Sequence, residues 1–155
     1  MVAMNHPTTT PADRQIDPHR LQVAVHELGH WVVWRTIPGA RVVTVHLTGH
    51  GRGTEGTVEV DWAKSEQSPE ANRAYLAGLL AGREADALWA EATGTRQDTS
   101  GCSHDLAVYH RVRRTHPPSG QFTTTEIRVH ARRLVRASWN EITRLAPRLA
   151  TRGHL

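Results

Sequence analysis

The chain reads as mainly α in the α+β sense: a helical domain with a small β-hairpin or sheet next to its first helix. Three features of the 155 residues lead there. Helix-start signals recur along the chain, and apolar residues follow each of them at helical spacing. One β-branched alternating stretch, a glycine turn and a second such stretch make the hairpin. The length suits one domain with a core of its own, not two.

Residues 1–15, with their Thr/Pro run, are expected to form a disordered tail ahead of a single domain over residues 16–155. Asp17-Pro18 pairs a capping side chain with the imino acid favoured at the first helical position. Leu21, Ala24, Val25, Leu28, Val32 and Val33 then keep helical spacing until Pro38-Gly39 stops the run. Arg41 to Thr48 alternates and is β-branched, so it is read as a strand. Residues 49–53 hold three glycines, and Thr57 to Val60 returns as the second strand. Such a sheet has an open edge, which is either covered by a loop or free to receive another extended chain.

Ser68-Pro69-Glu70 repeats the start signal for a helix running to about Ala92, with Gly94 as its stop. Gly78 and Gly82 lie four apart inside it, where each costs ~1 kcal/mol relative to alanine unless close packing on a neighbouring helix offsets it. A polar turn over residues 99–103 leads into a helix from about Ser103 to Arg114. Pro117-Pro118-Ser119-Gly120 breaks the chain. Thr123 with Glu126 makes a capping box for one last helix, with Ile127, Ala131, Leu134, Ser138, Ile142 and Leu145 on one face. Pro147 is expected to kink or end it.

The chain is 38% hydrophobic, and no apolar run approaches the ~20 residues needed to span a bilayer. Its start lacks a basic segment and an apolar centre, so the expected location is cytoplasmic, without a membrane partner. Cys102 is the single cysteine and makes no internal disulfide. Charge is unevenly spread: residues 1–105 carry 9 basic and 13 acidic side chains, and residues 106–155 carry 10 basic and 2 acidic. The arginine stripe Arg128, Arg132, Arg136 is compatible with an acidic partner. The absence of a DNA-binding motif and the apolar face of that helix disfavour nucleic acid.

Chemistry concentrates in His26-Glu27-Leu28-Gly29-His30. On a helix, residues four apart share a face, so His26 and His30 can direct both imidazoles at one ion. In an HExxH arrangement the glutamate, here Glu27, takes a proton from a metal-activated water and does not bind the metal. Two histidines are half of a zinc site, because catalytic zinc takes three protein ligands and leaves a position open. Asp105 and His104 are the candidates for the third ligand; adjacent residues at a helix start point in different directions, so one of them reaches the ion.

HELGH, then LAGLLAGREADALW, then TSGCSHDL resembles the zinc peptidase domain of FtsH-type AAA+ proteases. The resemblance spans about residues 20–150. It implies His26, His30 and Asp105 as Zn²⁺ ligands and Glu27 as the catalytic base, with Ala81-Gly82-Arg83 and Ala85-Asp86 falling at the middle motif. The chain departs from that family in having no ATPase module and no membrane segment, and in carrying His104 before the aspartate. A stand-alone ImmA/IrrE-type regulatory peptidase, with Glu84 as third ligand, is the nearest alternative.

The expected function is zinc-dependent hydrolysis of peptide bonds in extended or unfolded polypeptides, with a separate ATPase that feeds the site, or a second copy of the chain in a homo-oligomer, as the further candidate partner. A non-catalytic zinc module that binds nucleic acid or a protein through the basic final helix is the competing class.

Overall fold

The computed structural model describes residues 15–115 and 121–155. The expected tail, but for Gln15, and the Pro117-Pro118-Ser119-Gly120 break lie outside them. Within the described residues the fold is mainly helical, with one two-stranded antiparallel sheet.

Helix α1, Pro18–Trp34, is the centre of the molecule, packing on α2, α4, α5 and both strands. It starts where Asp17 accepts from the backbone N–H groups of His19 and Arg20. The same carboxylate accepts from Gly51 N–H at 2.8 Å, which ties the helix start to the hairpin turn. The helix is apolar on most of its circumference, and Ala24, Val25, Leu28 and Val33 are fully buried.

Strands β1, Arg41–Thr48, and β2, Glu55–Asp61, pair antiparallel around a one-turn 3₁₀ segment, Gly51–Gly53. A register irregularity between Val42 and Thr44 leaves Val43 without a partner residue across the ladder. On its other side β1 receives the chain's end: Leu47 N–H donates to the Gly153 carbonyl at 2.7 Å and Leu155 N–H to the Val45 carbonyl at 3.0 Å. β2 is therefore the outer strand, and among the described residues its ladder partner is β1 alone.

Helix α2, Pro69–Thr93, is capped by the Ser68 hydroxyl and ends at Gly94 in the left-handed conformation. It lies against α1 with its small residues inward: a Cβ on Gly29 of α1 would stand 2.7 Å from the Ala81 carbonyl oxygen. After a 3₁₀ turn at Ser100–Cys102, helix α3, Ser103–Thr115, crosses near α2.

The single last helix expected from Thr123 onward is two helices, α4, Thr124–Ala137, and α5, Trp139–Arg152. The capping box at Thr123 and Glu126 is present. Ser138, expected on an apolar helix face, is instead the joint, with φ −102° and ψ 9°. Breaking there lets both halves turn an apolar face to the core, with Ile127, Ala131 and Val135 from α4 and Ile142, Ala146 and Leu149 from α5. Pro147 does not end α5, which continues to Arg152. Burial of Leu149 and Ala150 beyond it, and the pairing of residues 153–155 with β1, offset the hydrogen bond that proline cannot donate.

Candidate metal centre and its cleft

His26 and His30 lie one turn apart on the face of α1 that looks across at α2 and α3. Asp105, in the first turn of α3, comes from 79 residues along the chain to meet them. Its Oδ2 is 3.2 Å from His26 Nε2 and 3.1 Å from His30 Nε2, and the two Nε2 atoms are 3.1 Å apart. Three donor atoms thus form a nearly equilateral triangle. Ligands ~2.0 Å from a common centre at tetrahedral angles stand about 3.3 Å apart, so the triangle has the size of one face of such a polyhedron.

The outer nitrogens settle what these atoms offer. His26 Nδ1 is 2.8 Å from Asp86 Oδ2, and His30 Nδ1 is 2.6 Å from the Gly78 carbonyl oxygen. Both partners are acceptors, so each ring donates through Nδ1, and in a neutral ring Nε2 then presents a lone pair. Two lone pairs and a carboxylate converging at this distance repel unless a cation lies among them. Without a metal, protons are the cation at hand: burial works against the His26 imidazolium, but hydrogen bonds to Asp105 and Asp86 outweigh it and raise its pKa to about 10. Burial likewise works to raise the Asp105 carboxyl, and hydrogen bonds from His26 and His30 overcome that and hold it far below the usual carboxylate range.

The support around the two rings is made by α2. Gly82 leaves room for them, since a Cβ there would lie 2.6 Å from His26 Cε1, His26 Nε2 and His30 Nε2. Gly78 does the same for Trp34, whose ring stacks on His30 with centroids 5.2 Å apart. The close helix packing expected of these glycines is present, and the neighbours they admit are the imidazoles and an indole. Asp86, one turn beyond Gly82, is 3% exposed and fixes the His26 ring. Burial raises its pKa, against the opposing pull of His26. Its Oδ2 is also 3.8 Å from the Cys102 thiol, which burial pushes up to about 12 and so keeps protonated. His26, Asp86 and Cys102 form a second cluster of donor atoms, and its geometry is that of a ring and its hydrogen-bonded brace.

Glu27 points to the other side of the cleft, against β2. It fills the space over Gly56, where a Cβ would stand 2.3 Å from Glu27 Cγ and 2.6 Å from Oε1. Burial raises its pKa, while the nearby His30 and His26 pull it down. A cleft of about 870 Å³ opens over His26, Glu27, His30 and Asp105, with residues 54–58 of the β2 edge along one wall and α3 along the other.

Of the other third-ligand candidates, His104 is exposed on the cleft rim and is not among the clustered donors. Glu84 is buried on a different face of α2, where Arg128 Nε lies 3.3 Å away. The arginine stripe is engaged with α2 as well: Arg132 is 2.9 Å and Arg136 3.7 Å from Glu91. No helix among the described residues is long and apolar enough to cross a membrane. Sequence reasoning did not assign Asp86 a task; the signal available was its position four residues after Gly82, on the same helical face.

No protein-family model matches this chain, and no curated protein matches it.

Proposed function

We propose that the chain is a zinc-dependent endopeptidase acting on extended polypeptides. The observation that carries the reading is the convergence of His26 Nε2, His30 Nε2 and Asp105 Oδ2 within 3.2 Å of one another, with both outer ring nitrogens already committed as donors. Two imidazoles and one carboxylate are a donor set that zinc accepts while keeping a position open. Zinc held there supplies Lewis acidity: it acidifies water toward a pKa of ~7 and polarises a carbonyl.

The chain's own residues do the rest. Glu27 takes the proton of the attacking water on its carboxylate and delivers it to the departing amine nitrogen. Burial, by raising its pKa, makes it a stronger base and lets it hold the proton between those events. Asp86 and the Gly78 carbonyl fix ring orientation and tautomer. The outer edge of β2 presents backbone groups to an extended chain, which selects for flexible substrates. The resemblance to FtsH-type peptidase domains supports the same assignment of all four residues. Delivery of folded substrates belongs to a separate ATPase.

The test is Glu27→Gln. Zinc content and melting temperature are expected to stay at wild-type values, while cleavage of casein falls by about 10²–10⁴-fold. Undiminished cleavage by the variant contradicts the proposal, as does a fully zinc-loaded wild type that cleaves neither casein nor a short unstructured peptide. Cleavage of the peptide but not of a folded protein marks dependence on a separate ATPase.

A further inference from the structure

Beyond the metal-side cleft lies a second hollow of about 280 Å³, and four elements step from one into the other. The α1 side passes from His30 through Trp34, the helix's last residue, to Ile37 in the turn beyond it. α2 passes from Leu79 through Tyr75 to Asn72, and α3 from Val108 to Val112 one turn on. β2 passes from Val58 to Trp62, just past its end. Three aromatic rings stand between the two hollows. Trp34 meets Trp62 edge-on at 5.8 Å, Trp62 meets Tyr75 edge-on at 5.2 Å, and the Trp34 indole N–H donates to the Tyr75 carbonyl at 3.1 Å.

Resting on the peptidase reading, we infer that this hollow is a distal subsite, which takes one aromatic or large apolar side chain of the same polypeptide that is being cut. Its small volume and its aromatic wall suit a single side chain. Continuity argues for the same chain. In β2 the residues Gly56, Val58 and Val60 share one face, and Trp62 continues the alternation. A substrate strand added to this edge keeps that register. Its residue opposite Gly56 sits beside Glu27, and its residue opposite Trp62 is six positions away, ~20 Å at about 3.3 Å per residue. The substrate class is thus an unfolded segment with an aromatic or large aliphatic residue about six positions from the scissile bond. The aromatic wall supplies edges and faces for that side chain to pack against.

The experiment uses the zinc-loaded full chain and a peptide that it cuts at one mapped bond. The peptide is extended by eight Gly/Ser residues at either end, with Phe or Ser six positions from that bond. At one of the two ends, Phe is expected to lower KM about tenfold without changing kcat, since burying it contributes to ground state and transition state alike. Trp62→Ala is expected to erase this gain while cutting the unextended peptide as wild type does, which also certifies that the variant is folded. Asn72→Phe, which fills the hollow from α2 and keeps Trp62, is expected to erase it too. Equal KM for Phe and Ser at both ends, or a gain that survives both substitutions, overturns the subsite and leaves the peptidase reading standing. Failure of wild type to cut the unextended peptide overturns both.

Discussion

Replacing Gly82 with alanine separates the metal site from the fold. The added methyl would stand 2.6 Å from His26 Cε1, His26 Nε2 and His30 Nε2, against the ~3.5 Å at which such atoms pack. Relief requires the rings to withdraw by close to 1 Å, whereas ligand positions in a zinc site tolerate about ±0.2 Å. For the metal-free chain two effects oppose: alanine in mid-helix favours α2 by ~1 kcal/mol, and the overpacked contact costs ~1–3 kcal/mol. Stability without zinc is therefore expected to change by no more than about 2 kcal/mol. Zinc affinity is expected to fall by well over ~10-fold, the lower bound for disturbing groups that only orient a ligand. Competitive zinc titration beside thermal melts with and without zinc reads both quantities. Gly101→Ala is the control, because nothing lies within 4 Å of its added Cβ. Wild-type zinc affinity in Gly82→Ala, with the fold intact, would refute the placement of that glycine under the two rings.

The same geometry sets three further outcomes. Gly56→Ala puts a methyl 2.3–2.6 Å from the Glu27 side chain, so it is expected to keep zinc and cut peptidase activity about as far as Glu27→Gln does; zinc content and casein cleavage measured together check it. Asp86→Asn removes the negative charge behind His26 and is expected to lower zinc affinity ~10–100-fold with little change in overall secondary structure by circular dichroism; unchanged affinity would show the brace to be idle. Asp17 serves as a pH-dependent clamp. Desolvation works to raise its pKa, but the N–H groups of Arg20, His19 and Gly51 together outweigh that and lower it. A lowered native value means the contribution is complete above the unfolded-chain pKa of ~3.9 and is lost as pH falls through the native one. The melting-temperature deficit of Asp17→Ala is thus expected to be largest near neutrality and to shrink in strong acid; a deficit constant with pH would contradict the linkage.

The elements that the sequence made legible are those with chemical punctuation at their ends. Asp17-Pro18, Ser68-Pro69 and Thr123 with Glu126 each cap a helix, and Gly94 stops one. The break at Ser138 has no such mark: ARRLVRASWN contains neither glycine nor proline, and the turn there is imposed by packing both halves on α1 and the core. Pro147 is the converse, a local stop signal overridden by the burial of Leu149 and Ala150 in the next turn. At the site, His26, Glu27 and His30 could be read from spacing, and Asp105 from the motif around it. Asp86 could not, because a single aspartate in an amphipathic helix looks like solvent-facing charge until α1 is laid across it. Gly78 and Gly82 signalled close approach, though nothing in their spacing said that rings were the approaching groups.

The central claim, that zinc sits among His26, His30 and Asp105, is tested most directly by X-ray absorption at the zinc edge on the loaded protein. The expected spectrum has nitrogen and oxygen neighbours at ~2.0–2.1 Å, multiple scattering from two imidazoles and no sulfur. In Asp105→Ala the zinc is expected to be lost or its shell rearranged. A sulfur shell at about 2.3 Å would place the metal with Cys102 and Asp86 instead and contradict the account, as would an unchanged spectrum at full occupancy in Asp105→Ala.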